Sequence, residues 1–291
     1  MKVKSILNLI RVHQWIKNLF LFLPMFFGIK MNNLELVFKT SILFCGFSLI
    51  ASSIYVLNDY LDIESDQKHP KKKNRPLASG AISTIEAIVI MFAVFVAGIL
   101  LIFSASDNIL IYILIGIYVL QNILYSIKLK HIPIIDITIL SIGFVVRISI
   151  GGLATNTPLS HWIVIMTFML AMFLALAKRS DDLRIMNDTN VSVRKSIVGY
   201  NLEFLNSLMT MLAGVIIITY IMYATSPDIL RSFGSKTYLT TVFVILGIMR
   251  YLQISLVFND SGSPTKILLK DTYLQVILSL WVFSFIFLIY F

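Results

Sequence analysis

Residues Asn58 to Gly80 read NDYLDIESDQKHPKKKNRPLASG. The stretch separates two long apolar runs, at 37–57 and 84–104. It holds four acids, Asp59, Asp62, Glu64 and Asp66, and then five bases, Lys68, Lys71, Lys72, Lys73 and Arg75. A polar interval this dense, set between runs of about twenty apolar residues, reads as the connection between two membrane-crossing helices. Outward from it the pattern repeats, with apolar blocks at 18–30, 37–57, 84–104, 108–127, 133–154, 160–178, 207–226, 237–256 and 272–291. The blocks are continuous rather than alternating, which selects helices over barrel strands. Hydrophobic residues make up 58% of the chain and charged ones 13%, so a soluble domain would be left with large exposed apolar patches. The expectation is an all-α polytopic membrane protein, a bundle of about nine transmembrane helices forming a single domain over 1–291.

The first block is short and resembles a signal-peptide core, but no small-residue cleavage site follows it, so it counts as a span. No low-complexity linker or internal repeat stands out, which counts against a transporter built from repeats. Cys45 lies within an apolar block and is read as packing, with no disulfide. Gly151–Gly152 reads as a site of close helix packing.

Lys and Arg set the topology. With the N-terminus in the cytosol, most of the 24 basic residues fall on the inner side. The C-terminus is then external, and the formal charge of +9 is mainly a signal of orientation in a cell membrane. Nucleic acid is not an expected partner. Three unusual polar segments share the cytosolic side: 58–80, 125–136 and 178–200. One dressed face implies one site over a helical bundle.

The acids carry the chemistry. Asp59, Asp62 and Asp66 fall at i, i+3 and i+7, and Asn58 shares their spacing. If the second span continues as a helix, these side chains share a face. Carboxylates and an amide oxygen are hard ligands suited to Mg²⁺, which completes its shell with water and phosphate oxygens. The competing reading is a solvated loop whose acids pair with the nearby lysines. Glu64 is off the face. Among the bases, which include Lys68 and His69, Arg75 ahead of Pro76 is the best candidate to meet a phosphorylated substrate. The lysine run also serves as membrane-surface charge.

Asn58, Asp59, Asp62 and Asp66, followed by a basic stretch and RPL, resemble the first aspartate-rich motif of the UbiA superfamily of intramembrane prenyltransferases. Tyr125, Ser126, Leu129 and Lys130, then Pro133 and Asp136, look like the same family. RVHQWIKNLFLFLP, with Gln14, Trp15, Lys17 and Asn18, resembles its decaprenyl-phosphate phosphoribosyltransferase branch. So do Arg147, LALAKRSDDL with Lys178 and Arg179, the run Arg194 to Tyr200, Arg250–Tyr251 and Asp271 to Trp281. The segment KRSDDL departs from both branch patterns, since the aromatic branch carries a second aspartate motif there and the phosphoribosyl branch KRxxE. Asp182 would replace that glutamate, and Asp181 is an equal candidate.

The resemblance implies a cytosol-facing central cavity, Mg²⁺ at Asp59, Asp62 and Asp66, and a lateral opening for a polyprenyl chain. It implies transfer of 5-phosphoribose from phosphoribosyl pyrophosphate to a polyprenyl phosphate. The alternative is transfer of a prenyl group from a prenyl diphosphate to an aromatic or other small acceptor. Under the first reading Asp59, Asp62, Lys178 and Arg179 are catalytic. Gln14, Lys17, Asn58, Lys68, Arg75, Tyr125, Lys130, Arg147, Asp181 and Asp182 bind substrate. Lys178 and Arg179 also read as snorkelling ends of a span. A charge deep in a span, as at Arg147, is costly and points to function unless a buried partner such as Asp136 neutralises it. Trp15 reads as an interfacial anchor.

Overall fold

The computed structural model describes residues 2–69, 72–189, 195–259 and 264–290, and among these the regular elements are all helices. Pro70, Lys71 and Arg194, and the side chain of Lys195, lie outside the described set. The helices in chain order are α1 (Lys2–Leu9), α2 (Leu23–Phe27), α3 (Leu34–Leu61), α4 (Ile63–Lys68), α5 (Thr84–Ala105), α6 (Ile109–Ile127), α7 (Ile135–Ala154), α8 (His161–Thr189), α9 (Leu202–Ala224), α10 (Pro227–Phe233), α11 (Thr241–Leu256), α12 (Pro264–Lys270) and α13 (Thr272–Tyr290). A 3₁₀ helix, Val12–Phe22, precedes α2, and another, Ser235–Thr240, leads into α11.

Eight of the nine expected blocks form helices long and apolar enough to cross a bilayer. The first block, 18–30, does not become one such helix. Its first part belongs to the 3₁₀ segment, and Pro24 sits at the start of α2, which ends at Phe27. Proline lacks an amide N–H and suits the first turn of a helix rather than its middle.

The chain divides into two compact units. Met1–Lys130 with Val146–Pro158 make the first, and His131–Val145 with Leu159–Phe291 the second. In the first unit α3 is central, with the largest buried share of any span. Leu43, Phe47, Ile50 and Ile54 of α3 pack with Ile102, Ile111, Ile115 and Tyr118. Close approach of α3 and α5 depends on two small residues. A Cβ added at Gly46 would stand 2.9 Å from the Gly98 carbonyl oxygen, and one at Gly98 would stand 2.8 Å from that of Gly46. Gly151 plays the expected packing part, since a Cβ there would lie 2.1 Å from the Leu21 carbonyl oxygen. Cys45, expected in packing, faces outward instead.

A capping box starts α5, with Ser83 and Glu86 satisfying each other's backbone amides. The outward face of α5 carries Ile85, Val89, Phe92, Val96, Leu100 and Phe103, all exposed and spaced by three or four. An apolar stripe of that length belongs against lipid. In the second unit α7, α8, α9 and α11 share a core that includes Ile137, Phe173, Leu176, Met209, Ile216 and Tyr251. Arg250 of α11 donates to Asp271 at 2.7 Å, and Asp271 accepts the amide of Leu274 at the start of α13.

Candidate functional site

The site in the first unit is built on one face of α3. Ser48, Ser52, Tyr55 and Asp59 are spaced four, three and four, which aligns them along the helix. The Val12–Phe22 segment turns once every three residues, so Trp15, Asn18 and Leu21 also stand in line. The two rows meet. Trp15 Nε1 donates to Ser52 Oγ at 3.0 Å, and Asn18 Nδ2 donates to Ser48 Oγ at 2.8 Å. Ser52 Oγ in turn donates to the Ile10 carbonyl at 2.7 Å. Trp15, expected as an interfacial anchor, therefore ties the 3₁₀ helix to α3.

At the head of this row Arg11 donates to Asp59 Oδ1, and its guanidinium lies 5.1 Å from the Tyr55 ring centre. Arg11 is in the left-handed backbone region, at φ 51° and ψ 49°. A non-glycine residue there marks a turn whose geometry the surroundings impose. Arg11 opens the stretch RVHQWIKNLFLFLP, but the sequence assigns it no site role. The spacing of Asp59 from Ser48 and Ser52 on α3 was the available clue, but it needed the 3₁₀ register to be used.

The acids do not stay on one face. Helix α3 stops at Leu61, Asp62 breaks the helical path, and α4 resumes at Ile63. The break splits the three acids two and one. Asp59 and Asp66 turn inward and are 2% and 3% exposed. Arg75 Nη1 lies between them, 2.9 Å from Asp59 Oδ1 and 2.6 Å from Asp66 Oδ2. Asp62 instead accepts from buried Lys130 at 2.6 Å and from Asn58 Nδ2 at 3.1 Å. Among the described residues no three acid, histidine or cysteine side chains converge as a ready cation site. Burial pushes the Asp66 carboxyl above its usual range, with Arg75 pulling the other way. The sequence pattern i, i+3, i+7 was correct for an unbroken helix, and the break at Asp62 is why one acid left the group.

The donor set nevertheless fits Mg²⁺. Asp59 and Asp66 share Arg75 Nη1, and a pair of carboxylates this close would suit a hard cation. Mg²⁺ takes one or two carboxylates directly and leaves its other positions to water and phosphate oxygens.

Arg147 is deep in the same unit and 4% exposed. Its Nε donates to Asn18 Oδ1 at 2.8 Å and its Nη2 to Tyr118 OH at 3.0 Å. The guanidinium also lies 5.3 Å from the Phe47 ring and 5.0 Å from the Tyr118 ring. The partner considered for it, Asp136, is committed to Arg179. Lys17 is half-buried beside this group. Its ammonium is pushed down to about 8 by burial, with repulsion from Arg147 and Arg11 adding to the effect and Tyr125 opposing it. Gln14 is half-buried and its backbone closes the turn onto Arg11 at 2.8 Å. Tyr125 is buried at the end of α6. Lys68 is exposed at the end of α4 and Glu64 is exposed near its start.

The second unit holds its own buried ionic group. Arg179, 1% exposed, donates from Nε to Asp136 Oδ2 at 2.6 Å and from Nη1 to Asp182 Oδ2 at 2.9 Å. Tyr200 OH donates to Asp136 Oδ1 at 2.8 Å, accepts from the Ile134 amide at 2.6 Å, and Ser196 Oγ donates to Asp136 Oδ2 at 3.3 Å. These two contacts of Arg179 tie α7 to α8. Asp182 is part of this group, whereas Asp181 and Lys178 are half-buried beside it in sequence. The motif pieces PxxD and KRSDD thus meet in space, which sequence spacing alone did not reveal.

Eight long apolar helices, with acidic and basic side chains buried near the ends of several, define an all-helical, multi-pass membrane protein. The chain belongs to the UbiA prenyltransferase family, whose model matches residues 21–270, and it is a transferase of that family. It is 31% identical to a decaprenyl-phosphate phosphoribosyltransferase of Mycolicibacterium smegmatis, over 96% of this chain and 91% of the relative. It is 30% identical to the decaprenyl-phosphate phosphoribosyltransferase of Corynebacterium glutamicum, over 98% of this chain and 87% of the relative. The fold is similar to a UbiA homolog from Archaeoglobus fulgidus bound to GPP and Mg²⁺, with a TM-score of 0.70 and 16% identity. That likeness covers 98% of this chain and 99% of the other.

Proposed function

We propose that this transferase moves 5-phosphoribose from phosphoribosyl pyrophosphate to a polyprenyl phosphate and releases pyrophosphate. The observation that carries this reading is the 31% and 30% identity, over nearly the whole chain, to two relatives named for that reaction. The acid–base group at the end of α3 supports it, because the donor brings a diphosphate. Asp59 and Asp66 would hold Mg²⁺, while Asp62 stays with Lys130 and Asn58. The ion would supply charge neutralisation to the leaving diphosphate.

Arg75, Arg11 and Lys130 would meet phosphate oxygens, Arg75 and Arg11 through planar two-pronged contacts. The bond from the ribose anomeric carbon to pyrophosphate breaks, and a bond to an oxygen of the lipid phosphate forms. The nucleophile is already an anion, so the chain need not supply a strong base. Its residues orient the partners and balance charge, and these effects carry most of the catalysis. The whole chain would act as one transferase domain, with the N-terminus and this site on the cytosolic side.

The experiment is a choice of donors. Purified protein receives polyprenyl phosphate with labelled phosphoribosyl pyrophosphate, or labelled prenyl diphosphate with an aromatic acceptor, each with Mg²⁺. Labelled lipid from the first mixture supports the reading. Product from the second mixture alone replaces it with prenyl transfer.

A further inference from the structure

Asp59 and Asp66 are two acids buried at one point, and two buried like charges do not stay ionised without a counter-charge. The counter-charge is supplied by Arg75, which bridges both, and by Arg11, which donates to the same Asp59 oxygen. A single oxygen, Asp59 Oδ1, thus receives two guanidinium groups. The acids are anchored in α3 and α4. The arginines come from a left-handed turn and from the connection ahead of Pro76, and their side chains are 19% and 25% exposed. Two guanidinium charges equal the charge of one divalent ion.

We propose that Arg11 and Arg75 are built-in counter-ions that exchange with a divalent cation carrying a diphosphate. When the metal–diphosphate enters, the two guanidinium groups leave the carboxylates and turn to the diphosphate oxygens. The charge around the acids is unchanged by the exchange, and the displaced arginines gain the acceptors they prefer. Metal alone is disfavoured, because it displaces two cations and leaves them without an anion. The device makes the site select the metal–diphosphate complex over the bare ion. This inference rests on the reading of Asp59 and Asp66 as metal ligands.

The test is Mn²⁺ binding to the full chain in detergent, followed by electron paramagnetic resonance, with and without inorganic pyrophosphate. In the parent, pyrophosphate should tighten Mn²⁺ binding by about tenfold or more, in the usual range of coupling between ligands. Arg75→Gln and Arg11→Gln should each bind Mn²⁺ alone more tightly than the parent, yet respond less to pyrophosphate. Arg75→Lys, which keeps the charge, should stay near the parent for Mn²⁺ alone. Thermal melting confirms that each variant is folded. A folded Gln variant with unchanged or weaker binding of Mn²⁺ alone overturns the exchange while leaving the metal site standing. No Mn²⁺ binding by any form, with or without pyrophosphate, overturns the metal reading and this inference together.

Discussion

Among single residues, the buried charges decide what the site can do. Asp59, Asp62, Arg75, Lys130 and Arg147 were legible in the sequence because charges beside or within apolar runs are costly and therefore conspicuous. Their partners were not, because a side chain's partner depends on helix register. Arg11 illustrates this, since only the left-handed turn at φ 51° aims it at Asp59. Lys17 offers a direct check on burial. Its unfolded value is 10.5 and its folded value about 8. Below pH 8 both states are charged and the fold bears the full cost of the buried cation. Between these values the folded state loses its proton first, and stability rises with pH. Lys17→Met should therefore melt at a higher temperature than the parent at pH 7, with the gain shrinking as the pH approaches 10. A gain that stays constant with pH would show that Lys17 is not strained by its surroundings.

Among the elements, the long helices were readable because the apolar blocks match the bilayer in length. The 3₁₀ helix at Val12–Phe22 was not, since its three-residue row makes sense only against Ser48 and Ser52 of α3. The break at Asp62 was also hidden, and it decides which acids share a cation. Two element-level substitutions follow. Gly98→Val pushes side-chain atoms into the Gly46 backbone, and overpacking of this kind costs about 1–3 kcal/mol. Differential scanning calorimetry in detergent should show the lowered melting temperature, and an unchanged melt would mean that α3 and α5 do not pack so closely. Arg179→Ala leaves two buried carboxylates, Asp136 and Asp182, without their shared cation. Breaking a buried pair costs about 3–5 kcal/mol, so this variant should lose stability as well as activity. A fully stable but inactive Arg179→Ala would return Arg179 to the role of a direct substrate ligand.

For the whole molecule, composition alone separated a membrane bundle from every soluble class, and the outward stripe on α5 agrees with it. Family membership was legible from the order of many short motifs, none specific alone. The substrate pair was less legible, because the prenyl-transfer and phosphoribosyl-transfer readings both assign a metal-bound diphosphate to the same acids. What distinguishes them is which fragment stays on the lipid. The most direct measurement supplies phosphoribosyl pyrophosphate carrying one label in the ribose and another in the terminal phosphate, with polyprenyl phosphate and Mg²⁺. The account predicts that the ribose label enters the lipid, that the terminal phosphate label leaves as pyrophosphate, and that Asp59→Asn abolishes both. Terminal phosphate label in the lipid, or ribose transfer that survives Asp59→Asn and chelation of Mg²⁺, would contradict it.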